Sequence, residues 1–206
     1  MCGGLGTRLE SPHEKPLHPI DGVPMVDRVL AGLTDSRVAT IYAAVSPNAP
    51  ETRAHLESIA ADRSRVRTIE TAGEGYVADL LGILERPAIE TPVLTVAADL
   101  PLLEGPAVDR ILAAHGDRDA SRTVCVPVAL KRRLGVSVDA TLEPDTHLAP
   151  TGVNVVGDAD ESESMTHLSY DPRLAINVNR REDARVAATE LQRSTPDATE
   201  RSGESR

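Results

Sequence analysis

The chain contains no phenylalanine and no tryptophan and only three tyrosines in 206 residues, so its core has to be filled by Leu, Val, Ile and Ala. Lysine is nearly missing as well: Lys15 and Lys131 stand alone among 22 basic residues, and the rest are arginine. Cys2 and Cys125 permit at most one disulfide and match no zinc spacing, which fits a reducing compartment. Cys125 lies in the apolar run Val124-Cys125-Val126 and reads as a buried, inert thiol. No apolar run approaches a membrane span, and the N-terminus has neither a basic flank nor a long apolar stretch for export. Stable membrane insertion is therefore not expected, and a soluble cytoplasmic protein is. The formal net charge is -10, with no basic patch able to track a phosphate backbone, which argues against nucleic acid as a main ligand. This acidic, lysine-poor composition resembles that of salt-adapted proteins, whose carboxylates keep the chain hydrated, and points to a halophilic host.

Hydrophobic patterning is that of alternating strands and helices. β-rich runs at 39–45, 66–70, 93–98, 123–128, 152–156 and 174–178 alternate with helical periods at 24–33, 51–61, 76–85, 107–115 and 182–192. Pro24 and Pro50 sit where first-turn prolines belong, since their missing N–H needs no partner there. The stretch 131–150 has no firm period, and the acidic stretch 157–164 reads as a loop. Residues 1–192 form the expected domain, and the Ser-, Thr-, Pro- and Arg-rich residues 193–206 a disordered tail. The fold expected is α/β: a Rossmann-like, mostly parallel sheet sandwiched by helices.

Chemistry concentrates at the start. Gly3-Gly4-Leu5-Gly6-Thr7-Arg8 is followed, after a gap, by Lys15-Pro16-Leu17. Glycines let backbone amides close on a phosphate, and Arg8 and Lys15 supply positive charge. The spacing is not that of a Walker loop, and a plain tight turn would also use such glycines. What favours function is a compact ammonium retained beside the loop in a chain that elsewhere uses arginine. Asp99 follows the run Val93-Leu94-Thr95-Val96-Ala97-Ala98, at the end of a strand where ligands of open α/β sheets collect; a helix N-cap or a loop hydrogen bond is the alternative. The six histidines, His13, His18, His55, His115, His147 and His167, show no paired ligand spacing and read as solvated or capping residues.

The glycine loop, Gly-Thr-Arg and Lys-Pro-Leu together resemble the signature of nucleotidyltransferases of the nucleotide-diphospho-sugar transferase type. More closely, the chain resembles the archaeal adenosylcobinamide-phosphate guanylyltransferases, related to the molybdopterin guanylyltransferases. The segments that carry this are Val45-Ser46-Pro47-Asn48, Thr71-Ala72-Gly73-Glu74-Gly75-Tyr76 with Asp79-Leu80, Pro150-Thr151-Gly152-Val153-Asn154-Val155-Val156 and Ile176-Asn177-Val178-Asn179. The resemblance implies transfer of GMP from GTP to adenosylcobinamide phosphate with release of pyrophosphate, in cobalamin biosynthesis. It implies that Gly3, Gly4, Gly6, Thr7 and Arg8 hold phosphates, that Lys15 reaches the α-phosphate, and that Asp99 binds Mg2+, with Asn177 or Asn179 completing the site.

For the base, a site selecting guanine needs acceptors for its N–H donors. Ser46, Asn48, Gly73, Gly75 and Asp79 are the candidates; Glu74 reads as an exposed loop charge. Tyr76 opens a helix beside this pocket. Gly152, next to Asn154, lets the acceptor substrate approach the backbone or marks an ordinary strand-entry turn. Rival readings are a molybdopterin, phospholactate or sugar-phosphate transferase of the same fold, or a nucleotide-binding regulator without turnover. The residues leave the oligomeric state open, a homodimer included. In this fold the glycine loop follows a central first strand, yet Gly3 here follows only Met1 and Cys2. The first strand is therefore expected to be truncated by a late start, leaving an open apolar groove beside 93–98.

Overall fold

The computed structural model describes residues 1–2, 7–116, 118–158 and 164–194. Gly3, Gly4 and Gly6, part of the acidic loop and the tail beyond 194 lie outside the described residues. Short 3-10 turns at Thr7–Leu9 and Lys15–Leu17 lead into a hairpin of β1 (Pro19–Ile20) and β2 (Val23–Pro24). Asp21 and Gly22 both adopt positive φ, the backbone twist that a two-residue hairpin turn requires. Helix α1 (Met25–Thr34) comes next, so Pro24 stands just ahead of the helix rather than in its first turn. Then follow β3 (Ile41–Val45), α2 (Pro50–Asp62), β4 (Val66–Glu70), α3 (Tyr76–Leu84), β5 (Val93–Val96) and α4 (Gly105–His115). The chain continues through β6 (Arg122–Pro127), α5 (Val128–Leu134), β7 (Leu148–Val156), β8 (Met165–Leu168), α6 (Pro172–Ala175) and α7 (Arg181–Ser194).

The α/β class is as expected, and the strand directions are mixed. β3 and β4 pair in parallel, as do β6 and β8, while β7 runs antiparallel between β5 and β6. β7 is longer than its apolar run because its side chains alternate: Ala149, Val153 and Val155 are buried, and Asn154 faces the other side. α5 was not legible as a helix, since seven residues give too little period to detect. The run 174–178 is not a strand. Asp171 caps α6 by accepting from the Arg173 N–H at 3.0 Å, Pro172 occupies the first turn, and the chain then passes through 176–179 with no sheet partner. α7 runs to Ser194, two residues beyond the expected helix end.

The core is aliphatic throughout, with Leu56, Leu100, Val108, Val124, Val126 and Val153 fully buried in one cluster. Cys2 and Cys125 are buried free thiols, and burial pushes the Cys125 thiol above its usual pKa. Between β3 and β5 the sheet is interrupted. There Cys2 N–H donates to Ala44 O at 2.8 Å, and the Met1 amine donates to Val96 O at 3.0 Å. Beside these two residues lies a cavity of about 500 Å³ lined by apolar side chains including Leu30, Ile41, Leu94 and Leu112, the groove expected at this position.

Three carboxylates tie the loops together. Burial raises the pKa of each, but hydrogen bonds outweigh it: Glu14 accepts from the Thr52 and Glu51 N–H groups, Asp139 from Arg180 and Ser137, and Asp171 from Arg173. Each therefore sits below the usual carboxylate range. A depressed folded-state pKa contributes stability that is complete above the unfolded value, about pH 4, and is lost as pH falls through the folded value. Melting temperature is accordingly expected to fall steeply below about pH 4. Asp171→Asn should show a smaller fall over that range than the parent, and an equal fall would remove Asp171 from the account.

Candidate active site

The turn holding Lys15 is anchored from both sides. Glu14 caps the N-terminus of α2 by accepting from Glu51 N–H at 3.0 Å and Thr52 N–H at 2.7 Å, and Pro16 is buried. Lys15 is thereby aimed at the end of β5. Its Nζ lies 2.7 Å from Asp99 Oδ2 and 2.6 Å from Asn179 Oδ1. Asp99 completes its set by accepting from Asn177 Nδ2 at 3.2 Å. Asp99 is the centre of an array joining Lys15 and Asn177, residues about eighty apart on either side of it.

Three of the residues expected to surround a metal, Asp99, Asn177 and Asn179, do meet here, but not in equivalent orientations. Asn179 Oδ1 and Asp99 Oδ2 converge on one cation, the Lys15 ammonium. Asn177 shows Asp99 its NH2 group, while its Oδ1 accepts from Lys131 Nζ at 3.0 Å. A metal ligand needs an oxygen lone pair directed at the ion. The expectation that Asn177 ligates a metal is corrected on that ground, whereas Asp99 and Asn179 suit the role.

Gly152 faces the same array. Its φ is +81°, and a Cβ there would lie 2.8 Å from Ala97 Cβ and 3.7 Å from Asn177 Nδ2, so a side chain would strain the backbone and press on Ala97, just past the end of β5. The neighbouring Thr151 accepts from Asn177 Nδ2 through its carbonyl at 2.7 Å. Arg8 is exposed. It donates to Asp139 Oδ1 at 3.1 Å, an oxygen that Arg180 also reaches at 2.9 Å. Asp183 gathers the same region by accepting from Ser137, Asn179 and Arg180 backbone N–H groups, which fixes Asn179 at the start of α7.

A second pocket, of about 310 Å³, brings Ser46, Gly73, Gly75 and Asp79 together with Tyr76 and Met1. Asn48 is exposed and does not line it, although its N–H donates to Ser46 Oγ. Asp79 lines the pocket and is engaged by its own loop. Its Oδ1 accepts from the Gly73 and Glu74 N–H groups at 2.8 and 3.2 Å, and Oδ2 from Thr71 Oγ1 at 3.0 Å. The carboxylate shapes the 71–75 loop around the pocket. Tyr76 OH bonds Thr95 Oγ1 at 3.0 Å, and Asn154 Nδ2 approaches both, so Asn154 braces Tyr76 against the sheet.

The residues missed by sequence reasoning are Lys131, Asp139 and Asp183. The rarity of lysine was the available signal for the first. Lys131 comes from α5 and is 4% exposed, and its ammonium donates to Ala175 O at 2.8 Å as well as to Asn177. Burial pushes its pKa down, against the pull of Asp183, Asp99 and Asp139. Asp139 lies in the stretch 131–150, which has no firm period, and Asp183 lies in the first turn of α7, where the helical period alone gives an acidic residue no special role.

Residues 1–144 match the MobA-like NTP transferase domain. The adenosylcobinamide-phosphate guanylyltransferase of Methanocaldococcus jannaschii is 29% identical over 194 residues, which cover 91% of this chain and 93% of that protein. The bifunctional protein GlmU of Bacillus subtilis is 27% identical over 134 residues, 63% of this chain and 27% of GlmU. In three dimensions the chain is similar to a CMP:2-keto-3-deoxy-manno-octonic acid synthetase complexed with CTP. That likeness has a TM-score of 0.61 at 14% identity, covers 89% of this chain and 95% of that one, and speaks for the fold.

Proposed function

The chain belongs to the MobA-like NTP transferase family, and from that premise we propose that it transfers GMP from GTP to adenosylcobinamide phosphate and releases pyrophosphate. The observation that carries the reading is the convergence of Lys15 on Asp99 and Asn179 at the end of β5. One cation and one carboxylate side by side at the carboxyl end of a strand support the reading that a polyphosphate meets the sheet there. The acceptor is argued from the guanylyltransferase relative, whose likeness runs nearly the length of both chains.

The chemistry asks little of acid–base groups. The acceptor's phosphate monoester has a second pKa near 6 and is already a nucleophile at neutral pH. Its oxygen attacks the α-phosphorus of GTP, a new P–O bond forms, and the bond to the β-phosphate oxygen breaks with its electron pair leaving on pyrophosphate. Lys15, released from Asp99, would hold the α-phosphate or bridging oxygen as that charge grows. Arg8 would bind the outer phosphates, together with Gly3, Gly4, Gly6 and Thr7. Asp99 and Asn179 would keep a Mg2+ that enters with the triphosphate, and the metal would add neutralising charge. The guanine is proposed to occupy the pocket of Ser46, Gly73, Gly75 and Tyr76, and the acceptor to approach past Gly152. The acidic, lysine-poor composition supports a salt-rich host.

Titration calorimetry with GTP and ATP tests the base assignment. GTP is expected to bind at least about tenfold more tightly, because unpaired buried acceptors penalise the wrong base. Equal affinities, or pyrophosphate release with a sugar phosphate and not with adenosylcobinamide phosphate, would move the protein to a sugar-phosphate transferase.

A further inference from the structure

We infer that Lys131 is a positioning residue for the transfer reaction, fixing the Asn177 amide so that its NH2 holds the Asp99 carboxylate in place for Lys15. The kinetic part of the inference rests on the guanylyl-transfer reading; its geometric part stands on the hydrogen bonds alone.

Both lysines of the chain converge on one array. Lys15 approaches Asp99 from the N-terminal turn, and Lys131 approaches Asn177 from α5 on the inner side. A lysine ammonium is a donor only, so the Asn177 atom 3.0 Å from Lys131 Nζ must be the oxygen. On the other side of the same amide stand two acceptors, Thr151 O at 2.7 Å and Asp99 Oδ1 at 3.2 Å. With one donor behind and two acceptors in front, a single orientation of Asn177 satisfies every contact. Rotating the amide by half a turn would set NH2 against NH3+ and oxygen against carboxylate.

Stability alone does not call for this lysine. Its ammonium is buried against a backbone carbonyl and a neutral amide, with no carboxylate of the described residues in direct contact. Such a charge costs more than an apolar side chain of similar length would at that place. Arginine, which serves at every Lys/Arg position of this chain other than 15 and 131, brings five donors in a planar fork to a site with two acceptors. A compact ammonium fits the two acceptors and leaves one hydrogen over. The residue is therefore explained by what it orients.

The test uses the full chain with Lys131→Met, Asn177→Ala, the double variant and Lys131→Gln. In amide NMR of the parent, Asn177 is expected to give a slowly exchanging side-chain NH2 pair, identified by its loss in Asn177→Ala. In Lys131→Met that pair should shift and exchange faster. Unchanged signals would overturn the inference whether or not the protein transfers GMP. In kinetics, Lys131→Met should lower kcat about tenfold or more while KM for GTP moves less than about threefold. Placed on Asn177→Ala it should have no further effect, because its action passes through that amide. Multiplying losses in the double variant would overturn the inference. Lys131→Gln keeps a donor for Asn177 Oδ1 and should recover part of kcat; it also serves if the methionine variant fails to fold. A parent protein with no transfer from GTP would fail the function and leave the NMR comparison to decide the role of Lys131.

Discussion

Lys15→Ala is expected to lower turnover about 100-fold, roughly 3 kcal/mol of barrier, while weakening GTP binding by much less. The Lys15 ammonium is satisfied by Asp99 at 2.7 Å and Asn179 at 2.6 Å, so ground-state triphosphate has to compete with those partners for it. The contact gains most when the α–β bond breaks and charge collects on the leaving pyrophosphate, and an interaction strengthened only then raises kcat rather than affinity. Pyrophosphate release at saturating substrates measures the rate, and titration calorimetry with GTP measures the binding. A near-normal rate for Lys15→Ala would end the assignment of this lysine to the reaction. Lys15→Arg should recover only part of the loss, because a planar fork cannot sit between one carboxylate oxygen and one amide oxygen as a point charge does.

What made Lys15 and Asp99 legible in the sequence was scarcity and position. One lysine beside a glycine loop, and one carboxylate at the end of an apolar strand, each carry a physical argument by residue type and place in the chain alone. The pairing of Asn177 with Asn179 was legible only as proximity. Which oxygen points where depends on Lys131, whose partner Ala175 lies 44 residues away in sequence and whose helix is too short to announce itself. The same limit hid β8, four residues of which only one side is covered, and turned 174–178 from an expected strand into α6 and an unpaired segment. An Asp-Pro pair ahead of that run signals a helix start, and it outweighs the β propensity of the Ile and Val residues behind it. Asp79 shows a related limit. A carboxylate near a base pocket suggests recognition, but its oxygens are taken up by the loop that forms the pocket wall.

Asp99→Asn should damage the site nearly as much as loss of Lys15, although the two side chains have the same shape. Asp99 stands between two donors, Lys15 Nζ on Oδ2 and Asn177 Nδ2 on Oδ1, and Asn177 cannot turn because Lys131 holds its oxygen. An asparagine has a single acceptor for two donors. Either orientation sets NH2 against a donor, so Lys15 is displaced or Asn177 loses a partner, at a cost of about 1 to 3 kcal/mol in stability. Turnover is expected to fall about 100-fold with it, and GTP binding should lose its response to Mg2+ in calorimetry, since the one carboxylate of the array is gone. A Mg2+ response like the parent's would return Asp99 to a purely structural part. The double variant separates the two effects. With Lys15→Ala already present, the amide at 99 can turn its oxygen to Asn177 and meet no opposing ammonium. The stability cost of Asp99→Asn should then shrink, and the shortfall from additivity measures the coupling between the two side chains. The loss of the Mg2+ response should persist, because it follows the carboxylate and not its lysine partner.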